Sequence, residues 1–183
     1  SPQRMFFFPA SKEKARELLQ LARKAADAIE EFTPKTERLV AIALGYNAAE
    51  DYDQVRQIVT LLRAVEVKAK VLTSLAFRFA ATGQREAALA VLEHVEKLGK
   101  TIVDPSVRTI LLKEVARAYL TAGAEQSALR LAEGFKDALA RAEVMEVVVR
   151  KQASTGRYEE AQRLAHTIGE GGSRARAMRA VAR

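Results

Sequence analysis

The chain has 183 residues, about one domain's worth. Hydrophobic residues make up 49% of it, enough for a core and against wholesale disorder, while 6% aromatic, four Pro and nine Gly are too few strand and turn formers for a sandwich or barrel. The absence of Cys excludes disulfides, thiolate metal sites and a cysteine nucleophile, and the net charge of +7 permits acidic partners without dictating them.

The charge is unevenly placed. Residues 36–66 carry three Lys/Arg against five Asp/Glu, whereas 141–183 carry nine against five, and after Glu170 only Arg174, Arg176, Arg179 and Arg183 remain. No apolar run is long enough to cross a bilayer.

Residues 1–10 read as an apolar arm, Met5-Phe6-Phe7-Phe8-Pro9, too short and poorly flanked for a signal peptide. The chain begins at Ser1 with Met5 inside, as expected of a trimmed or processed form, so the compartment stays open. Three consecutive Phe call for cover, either on the first helix or on another copy of the chain. Residues 11–31 form one amphipathic helix with Ser11 as N-cap and Leu18, Leu19, Ala22, Ala26 and Ile29 on its apolar stripe. Pro34 marks the break after it.

From there the sequence repeats. Helical runs end in Thr82-Gly83, Ala122-Gly123 and Thr155-Gly156, each followed five residues later by Ala88, Ala128 and Ala161. Gly123 and Gly156 are 33 residues apart, Gly83 and Gly123 are 40 apart, and 33 residues before Gly83 stands Glu50. Eleven, eight, seven and four residues before the turn come Leu39/Leu72/Leu112/Met145, Ile42/Leu75/Val115/Val148, Ala43/Ala76/Ala116/Val149 and Tyr46/Phe79/Tyr119/Gln152. Nine and twelve residues after it come Val59/Leu92/Ala132/Ala165 and Leu62/Val95/Phe135/Ile168. Spacings of 3, 4 and 7 put each set on one helical stripe, so a repeat holds two amphipathic helices, A and B, that bury their stripes only by stacking on neighbours. The turn glycine fits a left-handed helix C-cap. The repeats cover about 36–66, 69–106, 109–140 and 142–173, with a partial repeat at 174–183. The seven extra residues before the third repeat are expected as a longer link around Gly99–Pro105, with Asp104-Pro105-Ser106 starting a helix.

These columns resemble the tetratricopeptide repeat. Thr155-Gly156-Arg157-Tyr158-Glu159-Glu160-Ala161 is similar to that family's turn, and Ala116, Tyr119, Gly123 and Ala128 follow its pattern. The first repeat departs from it, with Glu50 for Gly and Val55 for Ala, and the family's terminal Pro is absent throughout. The resemblance implies an all-α, right-handed solenoid of antiparallel helix pairs over residues 11–183, about nine or ten helices.

Candidate chemistry is sparse. Asp51 and Asp53 read as helix-capping acids rather than a calcium loop, which would need ligands at alternate positions and a terminal Glu. His94 and His166 fall on different repeats without metal-ligand spacing. Gly169-Glu170-Gly171-Gly172-Ser173 lacks the strand and Gly-Lys-Ser/Thr of a phosphate loop and reads as a linker. No Ser/His/Asp set, carboxylate pair or cofactor motif stands out, so no catalytic residue, metal or cofactor is assigned.

In the resembled family the A helices line a concave groove, and the matching positions here are Glu37, Val40, Leu44 and Asn47; Lys70, Thr73, Phe77 and Ala80; Ile110, Lys113, Arg117 and Leu120; Glu143, Glu146, Arg150 and Ala153; then Arg176, Arg179 and Arg183. The stripe lies about 100° around the helix from the core columns, so its exposure also follows from helix geometry. The residues expected to bind are Val40, Leu44, Asn47, Lys70, Phe77, Lys113, Arg117, Arg150, Arg179 and Arg183. The family's carboxylate clamp is not reproduced, because no groove Asn precedes Lys113 and Arg117 at the required position. The expected role is a non-catalytic scaffold for a protein or peptide partner, acidic or phosphorylated at its contact with the C-terminal half. A nucleic-acid-binding solenoid is the alternative, disfavoured because most aromatics fill core columns; a self-assembling scaffold, hence a homo-oligomer, is another.

Overall fold

The computed structural model describes residues 9–27, 32–169 and 171–182. Among these residues the chain forms ten helices and no strand. They are α1 Pro9–Asp27, α2 Phe32–Ala48, α3 Tyr52–Leu61, α4 Val65–Ala81, α5 Arg85–Lys100, α6 Pro105–Thr121, α7 Glu125–Glu133, α8 Ala138–Ser154, α9 Tyr158–Thr167 and α10 Gly171–Val181. No helix among the described residues is long and apolar enough to cross a membrane.

The even-numbered helices are the A helices, and α2, α4, α6 and α8 are each 17 residues long. A helix that stops leaves its last carbonyls without donors, and these four ends are closed by one device. Gln84 N–H donates to the Phe79 carbonyl at 2.8 Å and Gly83 N–H to the Ala80 carbonyl at 3.2 Å, the paired bonds of a Schellman motif. Ala124 and Gly123 close on Tyr119 and Leu120 in the same way, Arg157 and Gly156 on Gln152 and Ala153, and Asp51 and Glu50 on Tyr46 and Asn47. The motif needs a left-handed residue. Gly83, Gly123 and Gly156 have φ of 76°, 76° and 79°, and Glu50 adopts 61° despite its Cβ. The turn spacing therefore survives where the sequence departs from glycine.

Helix order in space follows the repeat. Each A helix packs on the B helix that follows it and on the next A helix, so α2, α4, α6, α8 and α10 form a continuous row. The B helices α3, α5, α7 and α9 each contact the flanking A helices, with no close backbone contact among themselves in the described residues. Helix α1 packs on α2, as an N-terminal cap would. The aligned apolar columns are buried throughout, with only Val59 and Met145 half-buried, and Ala43, Ala76, Ala88, Ala116, Ala128 and Ala161 are fully enclosed.

Several boundaries differ from expectation, each for a local reason. Helix α1 starts at Pro9, not after an N-cap at Ser11, because proline's fixed φ suits a first turn and its missing N–H costs nothing there. Its predicted end at residue 31 and the Phe6–Phe8 arm lie outside the described residues. Pro34 sits within the first turn of α2 for the same reason and breaks nothing. Asp51 occupies the N-cap position of α3, but its carboxylate makes no capping hydrogen bond and instead pairs with Arg16 at 3.4 Å. Asp53 pairs with Arg56 at 2.9 Å. Asp104 does cap α6, accepting from Ser106 and Val107 N–H at 2.8 and 3.2 Å, with Pro105 as the first helical residue.

The seven extra residues are not a longer link. Helix α5 has 16 residues where α3, α7 and α9 have 10, 9 and 10. Seven residues are nearly two turns, so the insertion lengthens the helix while keeping its buried face in phase: Val95 and, one heptad on, Ile102 are both enclosed.

One repeated device escaped the column alignment. Arg108, Arg141 and Arg174, spaced by 33 residues, donate to the carbonyls of Ile102, Phe135 and Ile168 at 3.1, 3.3 and 2.6 Å. Each supplies a donor at the C-terminal end of the preceding B helix. Lys68 holds the same register after Leu62.

Because Ala116 and Ala128 are completely buried at the α6–α7 hairpin, Ala116→Leu and Ala128→Leu are expected to overpack it and lose roughly 1–3 kcal/mol in urea unfolding. Neutral substitutions at both would mean that the hairpin is not closed at these positions.

Candidate functional site

A helix row exposes one flank of each member and buries the other against its neighbour, and this divides the expected groove residues. Leu44, Lys70, Ile110, Arg117 and Arg150 are exposed, and Phe77 is half-buried in a cleft. Asn47, Thr73, Leu120, Glu146 and Ala153 are buried instead. Asn47 is the corrected binding residue: its side-chain amide donates to Ser74 Oγ at 3.2 Å across the α2–α4 seam. Val40 is half-buried against the core, so its contribution to a groove is its edge only. Lys113 is half-buried and paired with Glu143 at 2.6 Å across the α6–α8 seam. Arg179 lines a cleft at the C-terminal end of the row. Arg183 lies outside the described residues.

Clefts open along the row among the described residues. The first lies between α4 and α6, about 420 Å³, with Phe77, Val107, Ile110 and Leu111 as its apolar lining and Glu66, Lys70 and Glu114 among its polar residues. Ile110 is 60% exposed. The second lies between the C-terminal end of α8, the start of α9 and α10, about 680 Å³, and is lined by Arg150, Ser154, Tyr158, Arg176 and Arg179. Its scaffold is Glu146, whose carboxylate is nearly inaccessible and accepts from Arg150 on its own helix and from Arg176 of α10 at 2.9 Å. Two guanidinium groups therefore meet at one buried carboxylate, and a third, that of Arg179, lines the same cleft.

Aromatic placement matters for the nucleic-acid alternative. Tyr46, Phe79, Tyr119 and Phe135 are core, and Tyr52 packs on Phe79 with ring centroids 4.5 Å apart. Tyr158, assigned from sequence to a turn column, is 53% exposed beside the arginines. Two of these arginines, Arg176 and Arg179, belong to the next A helix, so their approach to Tyr158 could not be read from the sequence. His94 and His166 are both exposed and on separate helices, and no group of three or more His, Cys, Asp or Glu side chains stands together as a metal site among the described residues.

The opposite side of the molecule is tied by buried ions. Glu96, in the two added turns of α5, accepts from Arg130 of α7 at 2.8 and 3.0 Å, from Lys100 at 3.0 Å and from the Tyr119 hydroxyl at 3.2 Å. The Arg130 guanidinium holds the Glu96 pKa down to about 2, overcoming a burial that acts to raise it, with Lys100 assisting. Burial and then the Glu96 carboxylate push the Tyr119 phenol up to about 12. Glu125, at the start of α7, is likewise held by an arginine of the following repeat, Arg157. Burial acts to raise its pKa, but hydrogen bonds from Arg157 and Gln152 prevail and the net displacement is downward.

A carboxylate held below its unfolded pKa stabilises the fold above that value and loses the contribution as pH falls. For Glu96 the window runs from about 4.5 down to about 2. Arg130→Ala is expected to cost about 2 kcal/mol near neutrality, less than a fully buried pair because the guanidinium is half exposed, and to move acid unfolding to higher pH. Circular dichroism against pH checks this, and superimposable acid transitions for the two proteins would contradict it.

Comparison with protein-family models, with curated protein sequences and with the solved structures found no match to this chain.

Proposed function

We propose that this chain is a non-catalytic scaffold that holds a segment of a partner protein along the row of A helices, within a right-handed, tetratricopeptide-like solenoid. The arrangement that carries the reading is the pair of unlike clefts on one helix row: an apolar one between α4 and α6 and a cationic one between α8 and α10. Such a pair suits an extended or helical segment with an apolar anchor at one point and an acidic or phosphorylated group at another. The recurrence of the Schellman turn at Glu50, Gly83, Gly123 and Gly156 supports the tetratricopeptide-like reading.

The contact would be small and transient, with roughly micromolar affinity, and salt would weaken it because the arginines are exposed. One observation favours nucleic acid as a second reading: exposed Tyr158 beside three arginines offers a single stacking platform in a basic cleft.

Panning a displayed peptide library tests the scaffold reading. Enriched peptides are expected to share an apolar anchor, and Ile110→Glu, at an exposed position where folding is preserved, is expected to weaken their binding roughly tenfold. No enrichment, or full binding by the Ile110→Glu protein, would contradict it.

A further inference from the structure

We infer that the α4–α6 cleft receives residues 5–8 of a second copy of the chain, so that the protein associates with itself by exchanging N-terminal arms. The inference shares the apolar cleft with the scaffold reading above but needs no partner protein. Ile110 is 60% and Val107 37% exposed, and both wall this cleft together with Phe77 and Leu111. The sequence holds a segment equally in need of cover, Met5-Phe6-Phe7-Phe8, directly before α1. The first described side chains of α1, Lys12, Glu13 and Lys14, are exposed and charged and give it no apolar bed.

Arm and cleft agree in size and in charge. About 150 Å³ of cavity holds one benzene-sized ring, so a cleft of about 420 Å³ holds two. In an extended segment residues two apart share a side, so Phe6 and Phe8 enter together while Phe7 lies over the rim. Each entering ring buries on the order of 150–250 Å². Two arms, with the surfaces they cover, therefore reach roughly 1,200–2,000 Å², the size of a stable, specific interface. The rim is charge-balanced: Glu66 and Lys70 contribute one charge of each sign, and Glu114 pairs with Arg117 at 2.5 Å. Lys113, beside Glu114, is paired with Glu143 at 2.6 Å. Such a rim favours an apolar segment over an acidic peptide or a nucleic acid, and Arg4 is the one charged side chain in residues 1–10.

The arm is too short to fill the cleft of its own chain. Helix α1 contacts α2 but neither α4 nor α6. Its start is held over the C-terminal ends of α2 and α4, because Glu50 takes both Lys12 and Arg78 at 3.2 Å. The end of α6 stands beside that of α4, where Arg85 donates to the Ala122 carbonyl at 3.0 Å. Ile110 lies roughly 18 Å down α6 from that end, and each packed helix adds about 8–10 Å sideways. Phe6 is three residues before Pro9 in the sequence and so within about 10 Å of it. A second copy is under no such limit, and a two-fold pair that swaps arms fills both clefts.

Sedimentation velocity tests the exchange, with circular dichroism to check that each variant folds. The intact chain is expected to dimerise with roughly micromolar affinity, and Phe6→Ser/Phe8→Ser to be monomeric. Ile110→Glu should weaken the dimer at least about tenfold. Leu139→Glu, at a residue 51% exposed and outside the cleft, should leave it within about twofold. A fluorescein-labelled peptide of residues 1–10 is expected to bind the Phe6→Ser/Phe8→Ser protein, whose own arm cannot compete, and to bind about tenfold more weakly once Ile110→Glu is added. A monomeric intact chain, a dimer that survives either variant, or a peptide indifferent to Ile110→Glu would overturn the inference. Monomers that still bind library peptides through Ile110 would overturn the exchange and leave the scaffold reading standing. A dimer whose Phe6→Ser/Phe8→Ser form enriches no library peptide would support the exchange and contradict the scaffold reading.

Discussion

The architecture depends on how each long helix ends. A 17-residue helix that stops against another must satisfy its last carbonyls, and here one residue in the left-handed region does so by turning back its own N–H and that of the residue after it. The carbonyl that receives the shorter of these two bonds belongs in every repeat to the column of Tyr46, Phe79, Tyr119 and Gln152. The same residue thus closes the turn through its backbone and fills the space between helix pairs through its side chain. Turn and core are therefore set by one position.

That coupling explains why Glu50 can stand where glycine is expected. A left-handed non-glycine residue costs on the order of 1 kcal/mol, but Tyr46 and Val55 on either side are fully buried and hold the hairpin in register. The Glu50 side chain also finds Lys12 of α1 and Arg78 of α4, both at 3.2 Å. A departure from the repeat has become a link between the first helix and the second repeat.

The fold was legible from the sequence because burial repeats with the chain, whereas the candidate site was legible only in part. The core columns and the Asp104 start could be read directly. Position on a helix also told correctly that Arg117 and Arg150 are exposed, while Phe77 is half-buried against the core. It could not tell which flank of an A helix lies against the next one, and that is why Asn47, Thr73 and Glu146 proved buried at seams. Nor could it locate the insertion, because two added helical turns and a seven-residue loop leave the same gap between columns. The partners of Glu96 and Glu146 on other helices were out of reach for another reason: they lie 23 to 34 and 30 residues away along the chain, and nothing local specifies them.

The central claim is that a single turn geometry, recurring through the chain whatever residue occupies it, fixes the order of the helices. The backbone torsion of Glu50, measured by NMR from its amide-to-Hα coupling and carbon shifts, tests this most directly. The account predicts a positive φ there, matching Gly83, Gly123 and Gly156. An ordinary helical or extended φ at Glu50, with α2 and α3 still formed, would contradict it.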